Sequence, residues 1–193
     1  EILYNYALMG FLVYSFRKMS PKKLVLISVL LISIGTLWEY SRYTDDLKFV
    51  EQVSIAQQYK TEGKELTKEL KEASEKWAKI EYEKSPEAIE EYSTNMHKGY
   101  FDLVVFLAPI NRHYNENDPY RYDVWDVLSM MIIGIALFKL NILSAEKSFK
   151  LYGLMALVGY GIGLLINFYE TKLIMDSGFS YLGLSKSYLT YYI

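Results

Sequence analysis

Two apolar stretches separated by a short basic turn leave this chain few ways to fold. From Asp123 the sequence runs DVWDVLSMMIIGIALFKLNIL, pauses at SAEKSFK, and continues LYGLMALVGYGIGLLINFY to Tyr169. Val124 to Phe138 carries no charge after Asp126, and Leu151 to Tyr169 carries none at all. A helix needs about 20 apolar residues to cross the hydrocarbon core of a bilayer, a length the second stretch meets and the first approaches. The pattern predicts a transmembrane helical hairpin over 122–169, with the remaining chain arranged as helices or caps around it.

The chain in order supports the same class. Ile2 to Phe16 is apolar apart from Asn5 and Ser15 and is closed by Arg17 and Lys18, which reads as a first membrane helix. Its 15 residues rise only about 22 Å, so it must extend beyond Glu1 or meet a thin bilayer. Ser20 and Pro21 suit a cap and a first helical position, and a second span follows from Leu24 to about Tyr40. The turn within 1–41 holds Arg17, Lys18, Lys22 and Lys23 without an acid, and the hairpin turn holds Lys139, Lys147 and Lys150 against Glu146. Basic turns stay on the cytoplasmic side of a membrane, so both are expected there.

The mean hydropathy near zero hides two environments, because a polar segment, 42–98, offsets the apolar blocks. Within it Phe49, Ala56, Tyr59, Leu66, Leu70, Ala73, Trp77 and Ile80 recur at gaps that favour an amphipathic helix or helix pair. Gly63 is the expected break. Glu72 with Lys76 and Glu75 with Lys79 stand at i and i+4 on the solvated face. Ser85 and Pro86 mark a fresh helix start. Over 99–121, Tyr100 to Ile110 is too short to span a bilayer as a helix, and Pro109 is read as closing it before the polar NRHYNENDPYRY. That predicts a re-entrant or interfacial helix followed by a polar loop. In the last span Gly159 and Gly163 form a GxxxG that favours close helix packing, and 170–193 reads as an interfacial tail.

Several of these segments together resemble the YeiB-like family of bacterial multi-pass membrane proteins. EILYNYALMGFLVYSFRKMSPKKL is similar to that family's "DIL-x-YAL-x-G" helix and its basic "R-x-x-S-P-x-x-L" turn. DVLSMMIIGIALFKLNIL is similar to its "L-x-x-M-L-x-G-x-A-L-x-x-x-G-x-L" helix, with Gly134, Ala136 and Leu137 in place and Asn141 where glycine is usual. LLINFYETKLI fits the tyrosine-rich members. The likeness covers most of the apolar chain and leaves out the polar insertion. It implies an internal or C-terminal piece of an inner-membrane protein of undetermined activity, distantly similar to membrane acyltransferases that work on sugars; transport is implied by analogy only.

The chain has no cysteine, which excludes disulfides and thiolate sites, and its net charge of −2 gives no reason to expect nucleic acid. It lacks a Rossmann glycine pattern, a Walker A loop and HExxH, so no cofactor is indicated by motif, and its two histidines, His97 and His113, lack metal-ligand spacing. The reacting groups of an enzyme would be His113, Asp123, Asp126 and Glu39, ionisable residues clustered where the spans emerge on one side. The His113 imidazole would serve as general base if a carboxylate oriented it. The sequence therefore predicts an all-α, multi-pass transmembrane protein of the inner membrane with a polar helical insertion. Its partners are the lipid bilayer and further helices of the same protein, with a homo-oligomer left open. Three functions compete: an acyltransferase-like enzyme acting on a sugar or lipid, a small-molecule transporter, and a structural or sensing protein.

Overall fold

In a computed structural model, which describes residues 2–118 and 124–191, the described residues form helices joined by turns and contain no strand. The helices are α1 (Ile2–Tyr14), α2 (Pro21–Thr61), α3 (Lys68–Glu83), α4 (Pro86–Met96), α5 (Tyr100–Asp118), α6 (Val127–Lys139), α7 (Phe149–Asp176) and α8 (Tyr181–Tyr191). They divide between two compact units, one made of 1–43 and 114–193 and the other of Thr44–His113. Two helices, α2 and α7, are long and apolar enough to cross a membrane; α6 is apolar but shorter.

The first unit has its core where α1, α6 and the start of α2 meet. Met9, Leu24, Leu128, Ile132 and Ala136 are buried together, with Leu8, Ile27 and Met131 packed against them. Two polar contacts fix the register. Ser28 donates to the Ser129 carbonyl at 3.0 Å, and Lys139 Nζ donates to the Met19 carbonyl at 2.6 Å. As residue number rises along α6 it falls along α2, so these helices are antiparallel and the end of α6 lies beside the α1–α2 turn. Both basic turns thus sit at one end of this unit.

Between α6 and α7 the chain turns with Asn141 and Ala145 at positive φ, and Ser148 caps α7 by accepting from Leu151 N. The two helices take different main partners: α6 packs on α1, and α7 on α8. The expected interfacial tail is helical, because α7 continues to Asp176 and reverses into α8 through Gly178 and Phe179, both left-handed. Ser180 caps α8 by accepting from Gly183 N, and a β-carbon at Gly183 would collide with the Ser177 side chain. The GxxxG makes no close packing among the described residues; a β-carbon at Gly159 or Gly163 would meet nothing within 4 Å. No residue of α7 is buried.

The second unit turns its apolar stripe inward. The part of α2 beyond Thr44 pairs with α3: Val53, Ala56, Leu70 and Ala73 are buried, Phe49 meets Trp77 at 6.1 Å, and Lys60 donates to Ser74. Lys76 does not bridge to Glu72 as its spacing predicts. Its ammonium lies 4.6 Å from the centre of the Phe49 ring, while Glu72 meets Lys68 at 3.9 Å. Gly63 makes the predicted break at φ +68°, and Ser85 caps α4 by accepting from Ala88 N, with Pro86 in the first turn.

Two boundaries differ from expectation. The second span does not stop near Tyr40; α2 continues to Thr61, since 41–61 contains no glycine or proline and a change of hydropathy does not end a helix. Pro109 does not close the apolar segment either. α5 runs through it, so the expected polar loop after Ile110 is helical as far as Asp118. Proline removes one backbone donor and crowds the carbonyl four residues back; here that residue is Val105, on a face 74% exposed at its side chain.

Candidate functional site

The buried positions of α2 in the first unit are Leu24, Ser28, Gly35 and Glu39, which follow one another at helical spacing. Glu39 therefore lies on the same face of α2 as Leu24 and Ser28, and its side chain is 3% exposed. A carboxylate buried to this degree needs a partner. It has one in Arg42, whose Nη1 donates to Oε1 at 3.2 Å one helical turn further on. The sequence reading named Glu39 without Arg42, although an arginine three residues after an acid on a helix is a legible ion-pair signal.

Asp126 stands immediately before α6. Its carbonyl accepts from Met130 N at 3.0 Å and from Ser129 Oγ at 2.7 Å, while its carboxylate makes no capping bond to the helix. The residue is half-buried. Asp123 lies outside the described residues. His113 is exposed and is the last residue of the second unit, whereas Glu39 and Asp126 belong to the first. Of the four predicted site residues, the structure thus places two in one unit and one in the other. The other histidine, His97, ends α4 with Nδ1 2.7 Å from the Ser93 carbonyl.

Two polar atoms that sequence reasoning passed over complete the picture. Asn5 Oδ1 on α1 and Trp125 Nε1 before α6 are buried without a hydrogen-bond partner. Asn5 lies one turn before Met9, and Trp125 one turn before Leu128, both toward the end opposite the basic turns. No sequence signal marks them, since an asparagine or indole in an apolar run becomes notable only once its burial is known.

In chemical terms the inward face of α2 ends in a neutralised pair. A carboxylate already engaged by guanidinium holds charge and geometry. Among the described residues no group of three or more histidine or acidic side chains could hold a metal ion. Grooves lie elsewhere, along α7, between α7 and α8, and on α4. Compared with family models, with curated proteins and with solved structures, the chain matches none of them.

Proposed function

We propose that the chain is the membrane-embedded part, together with a polar helical insertion, of a multi-pass inner-membrane protein whose role is structural or sensing. The observation that carries this reading is α7: 28 residues, apolar along most of their length, with none buried. The core helix of a soluble protein is apolar because it is covered, and an uncovered apolar helix of this length fits lipid as its solvent. In the apolar part of α2 only 22% of residues are buried, which points the same way. At about 20 Å each, α1 and α6 fall short of the hydrocarbon thickness, so they cross where the bilayer thins or where Phe16, Leu140 and Leu143 extend them.

Orientation follows from charge. The Lys139–Met19 contact gathers Arg17, Lys18, Lys22, Lys23 and Lys139 at one end of the first unit, and that end is the cytoplasmic one. The chain then enters the Thr44–His113 unit on the outer side, where its charged surface is free to engage a partner. The same membrane placement is what the YeiB-like motifs imply, and that kinship is part of the proposal. An acyl-transfer reading has less support, because Glu39 is already paired and His113 is an exposed residue of the second unit.

The test uses the absence of cysteine. Ser20→Cys and Ser144→Cys are expected to resist a membrane-impermeant thiol reagent in intact cells, and Gln57→Cys to react. Reaction at Ser20→Cys or Ser144→Cys would overturn the orientation. Loss of sugar or lipid acylation by about 10²–10⁴-fold in His113→Ala or Asp126→Asn membranes, at matched abundance, would return the enzyme reading to first place.

A further inference from the structure

We infer that the groove between α7 and α8 is a seat for one anionic phospholipid, with its phosphodiester at Lys186 and an acyl chain along Leu165, Ile166 and Leu189. The inference rests on the membrane reading above and adds a specific ligand to it. The groove measures about 370 Å³ and is lined by Leu165, Ile166 and Tyr169 from α7 and by Lys186, Leu189 and Thr190 from α8. Around a turn centred on Gly178 and Phe179, these two sets pair as an antiparallel hairpin, so the groove has a polar end at Tyr169 and Lys186 and an apolar end at Leu165 and Leu189.

That polarity matches the position of the groove along α7. The uncharged run of α7 ends at Tyr169, and Glu170 and Lys172 follow, so Tyr169 and Lys186 stand at the level where headgroups lie. The apolar end points back toward the run Leu151–Tyr169, where acyl chains lie. Lys186 is half-buried and makes no ion pair among the described residues. A lysine held against apolar walls at that depth is stabilised by an anion, and the anion a bilayer offers there is a lipid phosphate. The Thr190 hydroxyl is committed to the Lys186 carbonyl at 3.0 Å. The Tyr169 hydroxyl has no such bond among the described residues and is placed to donate to a phosphate oxygen.

The experiment is native mass spectrometry of the full chain released from detergent in the presence of phosphatidylglycerol or phosphatidylcholine of equal chain length, after carbonate washing of the membranes. The expected result is retention of one phosphatidylglycerol in preference to phosphatidylcholine, lowered about fivefold in Lys186→Gln and kept in Lys186→Arg. Lys150→Gln, at the other end of α7, should leave it unchanged, and circular dichroism checks that each variant stays helical. Equal retention by wild type and Lys186→Gln, or no preference between the lipids, overturns the seat while leaving the membrane reading intact. Loss of the chain into the carbonate supernatant overturns the membrane reading itself.

Discussion

Helices α3 and α7 use apolar residues in opposite ways. α3 is mostly polar, KELKEASEKWAKIEYE, yet it buries Leu70 and Ala73 on one stripe and leaves its charges outside. α7 is mostly apolar, yet buries nothing and exposes leucines all round, Leu157 at 73% and Leu165 at 71%. The difference teaches that burial inside the chain and hydrophobicity of the sequence are separate quantities. A stripe implies that the protein supplies its own apolar surroundings, whereas an apolar surface without a stripe implies that something else does.

The largest effect that should sharpen this comparison comes from Leu70→Asp. Leu70 sits in the α2–α3 seam, and an unpaired carboxylate there should cost more than about 3 kcal/mol, opening the Thr44–His113 unit to limited proteolysis while the chain stays in the membrane. Unchanged protease resistance would mean that the stripe is not a packed face. Leu157→Asp asks the converse question of α7. In water a substitution at so exposed a position changes stability by about 0.5 kcal/mol or less, but at the centre of a bilayer-spanning helix an aspartate costs about 2.5–3.5 kcal/mol. Carbonate-resistant membrane recovery should therefore fall in Leu157→Asp, and recovery equal to wild type would break the contrast between the helices.

Arg42→Ala tests the buried Glu39–Arg42 charge pair of the first unit. Removing the guanidinium leaves the Glu39 carboxylate uncompensated, and since Arg42 itself is 26% exposed, the loss should be roughly 1–3 kcal/mol in thermal unfolding. Adding Glu39→Gln should restore most of it. A double variant no better than the single one would show that the arginine acts through contacts other than this pair. The smallest effect concerns Glu62, just after α2. Lys64, and then Gln58, which donates at 2.8 Å, hold its carboxyl below the usual value. A depressed folded-state value contributes stability that is present above the unfolded value and lost as pH falls through the folded one. An NMR titration of Glu62 should thus show a midpoint below that of an ordinary glutamate, moving upward in Lys64→Gln.

Much of the local organisation was legible because it depends on neighbours in sequence. Gly63 broke the helix where a left-handed residue was needed, Ser85 and Pro86 opened α4, and the three-and-four spacing picked out Leu70 and Ala73. Boundaries read from hydropathy did not transfer. Residues 41–61 change solvent but keep good helix formers, so α2 continues; Pro109 forfeits one hydrogen bond, which 19 residues of α5 tolerate. The candidate site was legible only in part. The burial of Glu39 could not be read from its place near the end of an apolar run, and its partner Arg42 was one turn away all along. The glycine pair in α7 signals close approach, but sequence alone cannot say to which surface, and among the described residues none lies there.

The Lys139–Met19 hydrogen bond also sets a clock. Its partners are 120 residues apart, and a ribosome adds about 5–20 residues per second, so roughly 6–24 s pass between the making of Met19 and of Lys139. Throughout that interval α1 and α2 are already made, and the surfaces around Met9 and Leu24 that Leu128, Ile132 and Ala136 later cover are open to whatever surrounds them. The turn from Ser15 to Ser20, closed by the backbone bonds Phe16 to Val13 at 3.0 Å and Met19 to Phe16 at 3.0 Å, can be finished early, and it carries the very carbonyl on which the late lysine docks.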